Sequence, residues 1–236
     1  VMEIKKLKKI LNEFGDNVRF EHDLKKKNWF NIGGKSKIFY KADNLKELAS
    51  FLKKLNNKEK IFILGAGSNT LINDELFDGA VIKLGKNFNN ISLLGEDIII
   101  AGSAVLDKTL SDFAMDKSLG GFEFLSCIPG TIGGGIRMNA GCFKKEFKDN
   151  LLSIQVIDKI GNVTTIASKD IKFEYRKNDL PEDLIFLSAS FKGIKGDCVK
   201  INQEMNKLKA EKEKNQPTKI KTSGSTFKNP ILQTEK

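Results

Sequence analysis

The amino-acid sequence predicts an α+β fold, on three observations. Segments with apolar residues at helical spacing alternate with short apolar runs of strand length. Two of those runs, in "LLSIQVIDKIGNVTTIAS", are joined by a turn at Gly161–Asn162, a hairpin that a strictly alternating α/β order would not contain. A further run, "KIFILGAGSNTLIND", stops abruptly at Gly65, as a strand does when it leaves a sheet. The length of 236 residues, with 40% apolar and 30% charged residues, suits one large domain or two small ones around a sizeable core.

In chain order, Ile4, Leu7, Ile10, Leu11 and Phe14 recur at helical spacing. Leu45, Leu48, Leu52 and Leu55 do so again behind Asp43–Asn44, which can cap. "KSKIFYKA" lies between them as a strand, and "KIFI" follows as another. "GAVIKLG" and "EDIIIAGS" read as strands, and Val105 to Lys117 places Leu106, Leu110, Phe113 and Ala114 on one helical face. After the hairpin comes the strand "LIFLSASFKG". A lysine-rich helix then carries Ile201, Met205 and Leu208 on one face and should stop at Pro217. No internal repeat and no low-complexity linker interrupts this order.

Composition excludes several function classes. Cys127, Cys142 and Cys198 form no C-x-x-C pair and His22 is the only histidine, so a zinc or iron–sulfur centre lacks ligands and reduced structural thiols are expected. The net charge of +10 comes almost wholly from lysine; only Arg19, Arg137 and Arg176 are arginines. The lysines are scattered without an aromatic-interleaved stripe, which speaks against nucleic acid and for a solvated surface, with weak steering of an anionic substrate as the functional alternative. There is no apolar run of membrane-spanning length, and the amino-terminal pattern is an amphipathic helix rather than a signal peptide, so the expectation is a soluble, cytosolic protein without membrane partners.

Four segments are candidates for chemistry. In "LGAGSNT", glycines directly after a strand let backbone N–H groups converge on a phosphate. No G-K-[ST] follows and Thr70 takes the third glycine position of a dinucleotide fingerprint, so a tight turn remains the alternative. "IPGTIGGGIRMNAG" holds five glycines in fourteen residues, more than a turn requires, as though a flavin or nucleotide diphosphate approaches its backbone. Arg137 within it is open between a phosphate contact and a surface charge. "FEYRKNDL" retains an arginine in a lysine-dominated chain, as a planar two-pronged contact to a carboxylate would require, or as a surface residue. "TSGSTFKNP" sets two serines about a glycine, a turn or capping pattern when taken alone.

Together with "WFNIGGKS", these segments, in this order from Trp29 to Pro230, resemble the UDP-N-acetylenolpyruvoylglucosamine reductases of peptidoglycan synthesis. The resemblance implies the vanillyl-alcohol-oxidase/PCMH-type FAD-binding fold, with two FAD-binding subdomains (1–90 and 91–196) and an incomplete substrate-binding subdomain (197–236). By the same resemblance Gly65, Gly67, Ser68 and Asn69 cradle the FAD diphosphate, and Pro129, Gly130, Thr131, Gly133, Gly134, Asn139, Ala140 and Gly141 pack along the cofactor. NADPH is the implied hydride donor and a UDP-sugar enolpyruvyl ether the implied substrate, reduced to UDP-N-acetylmuramate. The resemblance also implies a part in cell-wall biogenesis, cell shape, the cell cycle and cell division. Arg176 matches the family's stabilising arginine and Ser225 its serine proton donor; no metal and no particular oligomeric state is implied. Two departures stand out: Phe143–Lys144 replaces the usual Tyr-Gly, and the sequence ends six residues after "FKNP", before the position of the family's catalytic glutamate. Glu235 has no matching context, so the alternative expectation is a flavin-binding chain without turnover.

Overall fold

The computed structural model describes residues 3–215. Helix α1 (Ile4–Ile10) is shorter than the periodicity suggested. The backbone leaves α-helical geometry at Leu11 and continues as a 3₁₀ segment with Gly15 at φ 52°. Leu7, Leu11 and Phe14 are nevertheless all buried, because the chain must fold back at Gly15 to enter strand β1 (Val18–Asp23). That strand was not expected: "VRFEHD" has too few apolar residues to announce itself, and it exists by antiparallel pairing with β2 (Lys35–Ala42).

Helix α2 (Leu45–Leu55) starts where Asn44 Oδ1 accepts from Glu47 N at 2.9 Å and ends at Asn56 in the left-handed region, φ 49°. Strands β3 (Lys60–Ile63) and β4 (Phe77–Leu84) complete a four-stranded sheet of order β1-β2-β4-β3, in which β2, β4 and β3 are parallel. Alternation along β2 and β4 sends Ile38, Tyr40, Ala42, Ala80 and Ile82 towards α1 and α2, where the Tyr40 and Phe51 rings stack 4.0 Å apart. The other face holds a smaller cluster of Phe39, Val81, Leu24 and Leu64. At the amino ends of the strands the buried Lys37 Nζ lies 3.1 Å from both Glu59 and Asp78.

The second sheet is antiparallel. Strands β5 (Ile91–Leu94) and β6 (Ile98–Gly102) precede α3 (Asp107–Asp116) and the two-residue β7 (Leu119–Gly120). Helix α4 (Ile132–Arg137), the short strands β8 (Gly141–Cys142) and β9 (Lys145–Glu146), and the hairpin β10 (Leu151–Ile157) and β11 (Val163–Ala167) follow. Then come the pair β12 (Phe173–Glu174) and β13 (Lys177–Asn178), the strand β14 (Ile185–Lys192), β15 (Ile194–Lys195), and α5 (Cys198–Asn215). The sheet order is β11-β10-β14-β6-β5. One of its faces packs on α3, α4 and Phe147, while Ile157, Ile185 and Leu187 join the core beneath α2, so the two sheets share a core.

One expectation changes here. Val105 lies in a bend and Leu106 is extended rather than helical, because Val105 N donates to Gly102 O, Leu106 forms a β-bridge to Thr131, and α3 starts only at Asp107. The glycine-rich segment contains α4, a helix not among those expected from the sequence and held by neighbours rather than by propensity. Helix α5 buries Ile201, Met205 and Leu208 as its pattern indicated, and Lys212 Nζ near its end donates to Cys127 O. The stop expected at Pro217 lies outside the described residues. Among the described residues no helix is long and apolar enough to cross a membrane, and no group of His, Cys, Asp and Glu could hold a metal ion.

Candidate FAD site and active site

Leu64 N donates to Ile82 O at 2.9 Å, so the chain leaves the first sheet at Gly65, at the carboxyl ends of the parallel strands. Gly67 adopts φ +68°, and a Cβ there would lie 2.4 Å from Lys27 O and 2.8 Å from the Asn28 Cα. Its carbonyl accepts from Trp29 N at 3.0 Å. The turn is therefore clamped against Lys27–Trp29, with Ser68 buried and Asn69 exposed.

The glycine-rich segment threads along the β6–α3 connection: Asp107 N donates to Gly130 O, Ile132 N to Val105 O, and Gly133 N to Ser103 O, at 2.9–3.1 Å. It also meets the first glycine turn, since a Cβ on Gly65 would sit 2.6 Å from Thr131 Oγ1. Segments more than sixty residues apart in the sequence thus converge on one place.

The glycines serve two purposes. A Cβ at Gly130 would lie 2.6 Å from Asp107 Oδ2, at Gly133 3.0 Å from Ser103 Cβ, at Gly135 2.2 Å from the Phe147 ring, and at Gly141 2.3 Å from Lys145 O. These four allow the chain to pack upon itself. Gly134 meets only Thr131 Oγ1, at 3.5 Å, and is exposed. Pro129 is exposed, Thr131 is buried, and Ala140 is partly buried against the core.

At the far end of the segment Asn139 is fully buried with φ 38°. Its Nδ2 donates to Glu146 Oε2 at 2.9 Å and Glu174 O at 3.1 Å, and its Oδ1 accepts from Lys148 N at 3.2 Å. Arg176 sits in the β12–β13 turn with φ 58° and donates to Asn139 O at 3.2 Å and Gly141 O at 2.8 Å. Glu146 Oε1 lies 3.5 Å from the guanidinium, which also covers the Tyr175 ring at 4.6 Å. Arg176 is thereby placed against the residues that close the glycine-rich segment.

Arg137 takes neither role left open by the sequence. Its guanidinium donates to Leu180 O, Pro181 O and Leu184 O at 2.8–3.2 Å and lies 4.3 Å from the Phe186 ring centroid, tying α4 to the loop before β14. Burial lowers its pKa. Asn178 Nδ2 satisfies Ile136 O and Arg137 O, the carbonyls at the end of α4. Glu146 and Asn178 were not singled out from the sequence, where each looks like an ordinary solvated polar residue.

Asp107 is a further surprise. It is 0% exposed beneath Gly130, and neither carboxyl oxygen has a hydrogen-bond partner among the described residues. Burial raises its pKa well above the ordinary 3.8. The folded protein therefore keeps a proton that the unfolded chain releases. Stability from this group is complete below pH 3.8 and is lost as pH rises from there through the raised folded value. Asp107→Asn should remove that loss, so the variant is expected to be more stable than the parent at pH 8 and to show a flatter dependence from pH 4 upwards, measured by urea denaturation across pH. A parent and variant with parallel pH profiles would show that Asp107 does not titrate in this way.

Residues 36–167 match the FAD binding domain family. The UDP-N-acetylenolpyruvoylglucosamine reductase of Pelagibacter ubique (strain HTCC1062) is 65% identical over 235 residues, covering 100% of this chain and 78% of that protein. The chain belongs to the UDP-N-acetylenolpyruvoylglucosamine reductase family. The reductase of Rickettsia typhi is 46% identical over 211 residues, covering 89% of this chain and 71% of that one. The crystal structure of the Thermus caldophilus reductase superimposes with a TM-score of 0.79 at 29% identity, over 90% of this chain and 76% of that one. Phl p 4, a glucose dehydrogenase, shares the fold alone, with a TM-score of 0.59 at 12% identity over 80% of this chain and 44% of its own. The expected FAD-binding α+β fold is thus the fold of this reductase family member. Ser225, the serine matched to the family's proton donor, lies outside the described residues.

Proposed function

We propose that the protein catalyses the FAD-dependent reduction of UDP-N-acetylglucosamine enolpyruvate by NADPH to UDP-N-acetylmuramate, in the cytoplasm, for peptidoglycan precursor synthesis. The observation that carries this reading is the meeting of the two glycine segments at Gly65 and Thr131, with Arg176 held at the end of one of them. The residues fit the cofactor. Gly65, Gly67, Ser68 and Asn69 would hold its diphosphate, and Pro129, Gly130, Thr131, Gly133, Gly134, Asn139, Ala140 and Gly141 would lie along it, with Gly134 leaving open space.

FAD, when bound, supplies the transfer of a hydride from NADPH to the enolpyruvyl double bond. Arg176 offers guanidinium donors to the negative charge that develops on the substrate carboxylate, and its two carbonyl contacts fix where those donors sit. The buried Asn139 holds Glu174 and Glu146 in place around that arginine. Ser225 donates the proton that completes the product.

After reconstitution with FAD the protein should show oxidised-flavin absorbance, lose it on addition of NADPH, and regain it when the enolpyruvyl sugar nucleotide is added anaerobically. Colourless protein would defeat the cofactor assignment. Flavin that is reduced by NADPH but never reoxidised by the substrate would leave the chain a flavin-binding protein without this turnover.

A further inference from the structure

The carboxyl ends of the parallel strands in the first sheet carry an unbalanced charge. Lys41 on β2 is paired with Lys83 on β4, and Leu64 and Gly65 leave the sheet beside Lys83. Lys41 is answered by Asp43 at 3.2 Å. Lys83 has no acidic partner among the described residues.

Lys83 alternates with the buried Ile82, so it shares a face with Val81 and Phe39. Two other basic groups lie on that face about the same ring. Lys27 Nζ is 5.4 Å from the Phe39 centroid, and the His22 ring is 4.5 Å from it, with Nε2 buried and without a hydrogen-bond partner among the described residues. Lys27 is also the residue whose carbonyl clamps Gly67. Half-burial, and then the charge of Lys27, lower the pKa of Lys83. Like charges in a partly desolvated position cost stability unless an anion offsets them. Open sheets with parallel strands bind ligands outside the carboxyl ends of those strands, where the Gly65–Asn69 turn begins.

We propose that Lys27 and Lys83 bind the diphosphate of FAD at the Gly65–Asn69 turn. The assignment rests on the cofactor reading above and adds to it the charge that backbone N–H groups lack. A diphosphate could also come from the sugar nucleotide, so the test must separate the two sources.

The experiment is titration of the flavin-free protein with FAD, riboflavin and UDP, followed by flavin fluorescence and by competition, for the parent, Lys27→Met, Lys83→Met and Lys83→Arg. Each methionine variant should weaken FAD binding by about tenfold or more, as expected for loss of a charged hydrogen-bond donor. Riboflavin and UDP should bind as they do to the parent, and Lys83→Arg should retain most of the FAD affinity. The Tm of flavin-free Lys83→Met should equal or exceed that of the parent, because the substitution relieves repulsion; a purely structural lysine would lower it. FAD affinity within twofold of the parent, equal weakening towards riboflavin, a lowered Tm, or a loss seen with UDP alone would each overturn the assignment. A parent protein that binds no FAD would overturn the cofactor reading and this assignment with it, whereas normal binding by both parent and Lys83→Met overturns this assignment alone.

Discussion

Gly134→Leu is expected to abolish FAD binding while leaving the protein folded, and Gly135→Ala, one residue away, is expected to lower the Tm while the folded protein still binds FAD. Gly134 is exposed and meets only Thr131 Oγ1 at 3.5 Å, so a side chain there fills space open to a ligand and touches little of the protein. Replacing a helical glycine even favours α4, by up to about 1 kcal/mol. At Gly135 a Cβ would fall 2.2 Å from the Phe147 ring, which is itself fully buried among Phe124 and Phe191. Overpacking of that kind costs about 1–3 kcal/mol. Flavin absorbance after reconstitution and the Tm of the flavin-free protein separate the two outcomes. If Gly134→Leu retains stoichiometric FAD, the open space at α4 is not part of the cofactor site. If Gly135→Ala melts like the parent, the ring of Phe147 can move aside and the packing argument fails.

Arg176→Lys is expected to slow reoxidation of the reduced flavin by the enolpyruvyl substrate by about 10²-fold or more, the usual cost of losing a donor aimed at developing charge. Reduction of the flavin by NADPH should stay within a few-fold of the parent. The guanidinium has five N–H donors, and the two that hold Asn139 O and Gly141 O leave others for a carboxylate. A lysine ammonium cannot keep both carbonyls and present a planar edge as well. The backbone at φ 58° is equally strained for either side chain, so the comparison isolates the head group. Rapid mixing of each half-reaction decides the matter. Equal losses in both would show that Arg176 only supports the Asn139–Gly141 backbone, and no loss in either would remove it from the mechanism.

Much of this architecture is legible in the residues. The spacing of Leu45, Leu48, Leu52 and Leu55 behind Asn44 identifies α2 and its cap, and the apolar runs of β2, β3, β4, β6, β10 and β14 identify themselves. The glycine turn at Gly65 and the glycine-rich segment before Asn139 mark where a ligand would approach, and their order along the chain, with Arg176, is what the family resemblance rests on. Those features are local: each is set by hydrophobic period, turn chemistry or backbone freedom within a few residues.

What only the tertiary structure decides depends on partners distant in sequence. The "VRFEHD" segment becomes β1 because β2 supplies its ladder, and α4 forms around three consecutive glycines because Ser103, Val105 and Asn178 hold its backbone from outside. Whether a given glycine leaves room for a ligand or for the chain itself, Gly134 against Gly135, is fixed by the position of Phe147. Arg137 and Arg176 are indistinguishable as letters. One is spent on the carbonyls of Leu180, Pro181 and Leu184, and the other is set beside Asn139 and Gly141. Lys83 is likewise one lysine among many until the sheet sets it beside Gly65 and near Lys27, with no acid among the described residues to neutralise it. Periodicity records which face of an element turns inward, but the energy of a charge, a Cβ or an unpaired carboxyl depends on the atoms that folding brings within a few ångströms of it.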